Sequence, residues 1–123
     1  MLLDTSAWIE FFIKTGQGKI VKDALESETC FTSIVSIAEI SKWSLQNDVD
    51  GKNLIDFISR YSEIINLNSD ISYLAGKLNF ERKKLIKAWG MMDSFILATS
   101  LFYNLEIMTK DSHFKDLKNV KLI

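Results

Sequence analysis

The sequence predicts an α/β domain with a mostly parallel central sheet of about five strands. Short apolar segments alternate with longer segments of helical periodicity along its 123 residues. Such alternation implies crossover connections between parallel strands. The apolar segments also lack in–out alternation, as expected where helices cover both faces of a sheet.

Met1 to Leu3 read as a buried strand that leaves through Asp4-Thr5-Ser6 into a helix. Trp8, Ile9, Phe11 and Phe12 continue that helix to Lys14, and Gly16 and Gly18 are expected to break it. Ile20, Val21, Ala24 and Leu25 mark a second helix ending near Ser27. Thr29 to Thr32 is a β-prone segment, after which Ser33 or Ser36 caps a helix through Ile34, Ile37, Ala38, Ile40 and Leu45. Asn47 to Gly51 is a polar loop, and Leu54, Ile55, Phe57 and Ile58 mark a fourth helix. Glu63 to Leu67 is a strand. Ser69 is expected to cap a longer helix through Ile71, Leu74, Ala75 and Leu78, reaching toward Ile86. Gly90 breaks the chain before an apolar, central helix from Met92 to Tyr103. Leu105 to Thr109 is a strand, Asp111 to Leu117 a turn or short helix, and Val120 to Ile123 the last strand. There is no proline, so glycine, Asn, Ser and Asp must end these elements.

The length suits one domain over residues 1–123. A composition of 47% hydrophobic and 25% charged residues excludes a disordered chain and a disulfide scaffold. No apolar run approaches the ~20 residues that span a bilayer, so no membrane association is expected. The start has no leader-like pattern, and the single Cys30 fits a reducing compartment, so the expectation is a cytoplasmic protein. One cysteine and one histidine exclude zinc sites built on several such ligands. Fifteen basic and sixteen acidic residues argue against coating nucleic acid by bulk charge. A nucleic-acid enzyme with a local basic surface remains open.

Four acids stand out by position. Asp4 and Asp111 lie just beyond predicted strands, where open parallel sheets build ligand sites. Glu39 interrupts Ile37-Ala38-Glu39-Ile40, and Asp93 interrupts Met91-Met92-Asp93-Ser94-Phe95-Ile96. Ionised carboxylates are costly to bury alone, so each needs a partner, a cap role, a route to solvent or a metal. Singly, the three aspartates also read as helix caps, and Glu39 as a surface partner of Lys42. Together they are harder to explain so. Converging carboxylates repel and raise one another's pKa, and a divalent cation removes the conflict. A donor set of oxygens favours Mg²⁺ or Mn²⁺, and metal-assisted phosphodiester hydrolysis is the natural reaction class.

The same residues carry a resemblance. Leu3-Asp4-Thr5-Ser6 resembles the first motif of PIN-domain ribonucleases, and Ser36-Ile37-Ala38-Glu39-Ile40 resembles the second. Met92 to Ser100 and Ile107 to Phe114 resemble the third and fourth, and Val120 to Ile123 the closing strand. Small stand-alone domains of this kind are mostly VapC-like toxins of toxin–antitoxin pairs. The resemblance implies a three-layer α/β/α domain and endonucleolytic cleavage of RNA by activated water. It implies Asp4, Glu39, Asp93 and Asp111 as catalytic and metal-site residues for one or two Mg²⁺ or Mn²⁺ ions. Thr5, Ser6 and Thr109 match its supporting hydroxyls, and Asp111 its least strictly required acid. Ser94 departs mildly from the alanine common there. An RNA substrate, a small antitoxin covering the early helices and a homodimer are the partners implied.

Arg82, Lys83, Lys84 and Lys87, with Lys77 nearby, form the basic cluster that can meet RNA phosphates, or a solvated helix end. Trp89 is read as a contact at an interface or a stacking platform for a base. Trp8, Phe11, Phe12 and Trp43 belong either to the core or to a surface facing another chain. The alternatives are an RNA-processing nuclease of the same fold without an antitoxin, and a non-catalytic binding module whose acids only cap helices. A receiver-like signalling domain fits less well, because the strand from Glu63 to Leu67 ends in Asn68 rather than an aspartate.

Overall fold

Two consecutive leucines set the layering. Successive side chains of a strand point to opposite faces, and Leu2 and Leu3 are both completely buried, in different clusters. A computed structural model describes residues 1–123. Its elements are β1 (Leu2–Leu3), α1 (Thr5–Phe12), α2 (Gly16–Ser27), β2 (Phe31–Ser33), α3 (Ile34–Gln46), α4 (Gly51–Tyr61), β3 (Glu63–Ile65), α5 (Ser69–Lys83), α6 (Met91–Tyr103), β4 (Ile107–Thr109) and β5 (Val120–Leu122). A 3₁₀ turn, Ser112–Phe114, lies between β4 and β5.

The five strands form one sheet in the order β3-β2-β1-β4-β5. Every pairing is parallel, so the sheet is wholly rather than mostly parallel. Leu3 and Met108 face a layer that includes Ala7, Trp8, Val21, Ile40 and Ile58, from α1, α2, α3 and α4. Leu2 and Ile107 face Trp89, Ile96 and Leu97, with α5 packed on α6 beyond. The expected three-layer α/β/α arrangement is therefore present. Strand order reverses at β1: β2 lies on one side and β4 on the other. That is the switch point at which open parallel sheets form a crevice beyond their carboxyl ends. No helix is long and apolar enough to cross a membrane.

Trp8 is core, with no exposed surface. Its ring stacks on Phe12 at 5.6 Å and meets Phe11 and Phe57 edge-on. Its Nε1–H donates to Thr32 Oγ1 at 3.0 Å, which satisfies the indole's one polar group. Trp8→Ala should cost about 3–5 kcal/mol through the cavity left behind. In a domain of this size that lowers the melting temperature by roughly 10–20 °C. A loss below about 1 kcal/mol in denaturant unfolding would show that this cluster does not hold the layer.

The elements differ from the sequence reading mainly at their ends. Gly16 and Gly18 do not break the chain; they open α2, whose cap is Thr15, accepting from the Gly18 N–H. The break falls at Lys14, which takes a left-handed conformation at φ 59°. Gly18 is needed for close approach: a Cβ there would lie 2.4 Å from the Glu10 carbonyl oxygen. Asn68, not Ser69, caps α5, and α5 stops at Lys83 rather than nearing Ile86. Of the two candidate caps for α3, Ser33 does the work. Trp89 is neither an interface residue nor a stacking platform. It is fully buried, donates to Ser94 Oγ at 2.7 Å and packs on Phe114.

Candidate active site

Asp4 leaves β1 at its carboxyl end and is 6% exposed. It sits at the N-cap position of α1, yet its side chain makes no cap bond. Its Oδ2 instead accepts from Thr109 Oγ1 at 2.7 Å and from Ser6 Oγ at 3.0 Å. The two hydroxyls stand 3.0 Å apart, so β4 and the first turn of α1 hold one carboxylate between them. The Lys110 N–H donates to Ser6 Oγ and the Asp111 N–H to Thr109 Oγ1, which fixes the chain leaving β4. Burial pushes the Asp4 carboxyl above its ordinary range; the hydroxyl bonds oppose this, and the charge of Asp93 adds to it.

Glu39 projects from α3 and takes a 2.7 Å bond from Thr5 Oγ1 on Oε1, which leaves Oε2 free. Burial is the main cause raising its carboxyl, with Asp4 and Asp93 contributing repulsion. Asp93 is the third residue of α6, where an acid closes half a capping box: its Oδ2 accepts the Gly90 N–H at 3.0 Å. Its carboxyl is raised chiefly by burial and further by Asp111, while His113 and Arg82 act against the rise. Asp111 caps the 3₁₀ turn, with Oδ1 accepting from the His113 N–H at 2.9 Å and lying 3.1 Å from His113 Nδ1.

The structure thus brings the four expected acids to one end of the sheet, where Asp93 acts on Asp4, Asp4 and Asp93 act on Glu39, and Asp111 acts on Asp93. The cap reading accounts for one oxygen each of Asp93 and Asp111 and for nothing at Asp4 or Glu39. The donors are hard carboxylate oxygens, a set that fits Mg²⁺ or Mn²⁺. No three of the chain's Asp, Glu, His and Cys side chains are grouped tightly enough to hold one ion as they stand. Mutual repulsion opposes a closer approach of these carboxylates, and a bound cation would offset it.

Thr5, Ser6 and Thr109 all bond to site residues. Lys83, Lys84 and Lys87 are exposed on and after the last turn of α5. Arg82 is not: it is 6% exposed, paired with Asp116, and cannot meet RNA phosphates. Two acids gain partners that motif spacing does not single out. Glu10 is 4% exposed and takes Lys110 Nζ at 2.6 Å and the Thr15 hydroxyl, which hold its carboxyl below the ordinary range. Its setting between Ile9 and Phe11 is the same signal that marks Glu39 and Asp93. Asp116 is likewise lowered by the Arg82 bond.

The PIN-domain family model matches residues 1–120. No curated protein sequence matches the chain. Among solved structures, a toxin–antitoxin complex from Klebsiella pneumoniae is 24% identical, with a TM-score of 0.77 over 98% of this chain and 94% of that one. VapBC2 of Rickettsia felis, bound to a DNA fragment from its promoter, is 19% identical, with a TM-score of 0.73 over 99% and 96%. VapC20 of Mycobacterium tuberculosis, a toxin that cleaves the sarcin–ricin loop, is 14% identical, with a TM-score of 0.68 over 95% and 94%. At these identities the likeness is one of fold, and the family rests on the match that runs from the first strand into the last: this chain belongs to the PIN-domain family.

Proposed function

We propose that this chain is a single-domain, metal-dependent endoribonuclease and the toxin of a type II toxin–antitoxin pair. The observation that supports the reading is that Asp4, Glu39, Asp93 and Asp111, from four separate segments, lie at the carboxyl end of the sheet beside its switch point and are linked pairwise by charge. When bound, one or two Mg²⁺ or Mn²⁺ ions supply charge neutralisation and water activation for phosphodiester hydrolysis. Asp4, clamped by two hydroxyls, is the fixed anchor of the site. Thr5 and the Gly90 N–H orient Glu39 and Asp93 while leaving Glu39 Oε2 and Asp93 Oδ1 for ligand, water or proton. Glu39 and Asp93, each with one carboxylate oxygen not engaged by a protein donor, are the groups that would take a proton from water attacking a backbone phosphate.

The antitoxin belongs to the same proposal. A groove of about 490 Å³ runs between α1, α2 and α4, floored by Phe11, Phe12, Leu54 and Phe57 and rimmed by Lys14, Lys19 and Lys22. It suits an amphipathic segment that carries acidic residues. The toxin–antitoxin complexes among the structural relatives support such a partner. A homodimer and a cytoplasmic setting complete the reading.

Incubation with total RNA and Mn²⁺ tests it. Fragments with 5′-phosphate and 3′-hydroxyl ends are expected, and RNA left intact at every metal concentration would overturn it. Charge reversal at Lys83 and Lys84 together should weaken RNA binding across all sequences. The slope of log affinity against log salt should fall by about 1.4 for single-stranded RNA. An unchanged slope returns both residues to a solvated helix end.

A further inference from the structure

One buried cation joins the connection into α6, whose first turn carries Asp93, to the turn that Asp111 opens. Arg82, in the last turn of α5, donates from Nη1 and Nη2 to the two carboxylate oxygens of Asp116 at 3.1 and 2.9 Å. Its Nη2 also donates to the His113 carbonyl at 2.8 Å. Its guanidinium carbon lies over the Trp89 ring, 4.2 Å from the centroid. Both contacts lead directly to site carboxylates. The His113 N–H holds Asp111 Oδ1. Trp89 precedes Gly90, whose N–H holds Asp93 Oδ2, and the Trp89 indole donates to Ser94, whose hydroxyl bonds the Gly90 carbonyl.

Stability alone does not select this arrangement. A buried ion pair is often replaceable by apolar side chains without loss. Here Nε is also a buried donor with no partner, which carries a cost. What the guanidinium does that an apolar side chain cannot is hold a carboxylate and a carbonyl by hydrogen bonds while packing on an aromatic face. Lysine has one compact ammonium and no planar fork, so it cannot repeat this.

We propose that Arg82 is a positioning residue that sets the spacing of Asp93 and Asp111 for the ion, by clamping the α5–α6 connection to the turn after β4. The part concerning the ion rests on the metal-site reading above. Groups that orient ligands from behind typically change metal affinity 10–100-fold when altered.

The test uses the full chain, with Mn²⁺ alone as the probe. Binding is followed by the electron paramagnetic resonance of free Mn²⁺, and backbone order by amide exchange in metal-free protein. Arg82→Met and Arg82→Lys should both bind Mn²⁺ about tenfold more weakly or worse, with unchanged far-ultraviolet circular dichroism. The Gly90 and His113 amides should exchange faster in both, while the Lys110 amide, held by Ser6, should not change. If Arg82→Met fails to fold, Asp116→Asn, which keeps an acceptor but loses the bidentate charge, should show the same pattern in weaker form. Wild-type affinity in Arg82→Lys would overturn the proposal, as would unchanged exchange at both amides. If the wild type itself binds no Mn²⁺, the metal reading fails separately. The exchange arm then decides the clamp: faster exchange at both amides upholds it, and no change removes it.

Discussion

Asp93→Asn is expected to lose both RNA cleavage and stabilisation by Mn²⁺, while the metal-free protein stays folded. Asparagine is nearly isosteric, and its side-chain oxygen can still accept the Gly90 N–H that Asp93 Oδ2 takes at 3.0 Å. The start of α6 is therefore kept. What changes is one negative charge and one hard donor. A ligand at about 100 times its dissociation constant stabilises a protein by ~2.7 kcal/mol. For a domain of this size that is roughly 10 °C in melting temperature. The wild type should show that shift and the mutant little of it. Metal-centred charge stabilisation is worth several kcal/mol, and each 1.36 kcal/mol is tenfold in rate, so cleavage should fall by about a thousandfold. Without metal the mutant should be more stable than the wild type, since Asp93 is desolvated and repelled by Asp111. A full Mn²⁺ shift in the mutant would remove Asp93 from the site. A lower metal-free melting temperature would contradict the account of repulsion.

Asp93 was legible because an acid inside an apolar helix has few cheap explanations, and its sequence neighbourhood carries that oddity directly. Asp4 and Asp111 were legible for a related reason: strand ends are visible as apolar runs that stop, and a parallel sheet puts those ends together. Arg82 was not. In the sequence it is one of several cations at a helix end, and only the fold reveals Asp116 and the His113 carbonyl, 34 and 31 residues away. Trp89 follows from the same contact, because a tryptophan beside lysines looks exposed until the guanidinium is seen to cover it. Glu10 depends on Lys110, a hundred residues distant. The helix ends moved for a local reason. Asn68 outcompetes Ser69 as a cap because its oxygen reaches the Ile71 N–H at 2.8 Å. Lys14 in a left-handed turn does what the glycines beside it were expected to do.

The metal-free protein should be more stable in mild acid than at neutral pH. Asp4, Glu39 and Asp93 all have carboxyls raised by burial, from ordinary values of 3.8, 4.5 and 3.8. Between its ordinary value and its raised value, each binds more protons folded than unfolded. Stability therefore falls as pH rises through that window and is restored as pH drops. Glu10 and Asp116 run the other way. Lys110 and Arg82 hold them below 4.5 and 3.8, so their contribution is kept at mild acidity and lost only below those values. The two windows meet at the ordinary carboxylate values, so the balance of these five groups places the maximum near those values, on the acid side of neutral. Each unit of raised pKa corresponds to about 1.4 kcal/mol, or roughly 5 °C in a domain of this size. Thermal unfolding in chelator from pH 4 to 8 reads the profile directly. Asp4→Asn should flatten the climb more than any other single change, because Asp4 is the most buried of the three and its amide oxygen can still accept from Thr109 or Ser6. Saturating Mn²⁺ should reverse the slope, since the ion binds the ionised carboxylates and competes with protons. A metal-free profile that peaks at neutral pH would mean the carboxylates are relieved within the protein itself, and the case for a cation between them would lose its electrostatic ground.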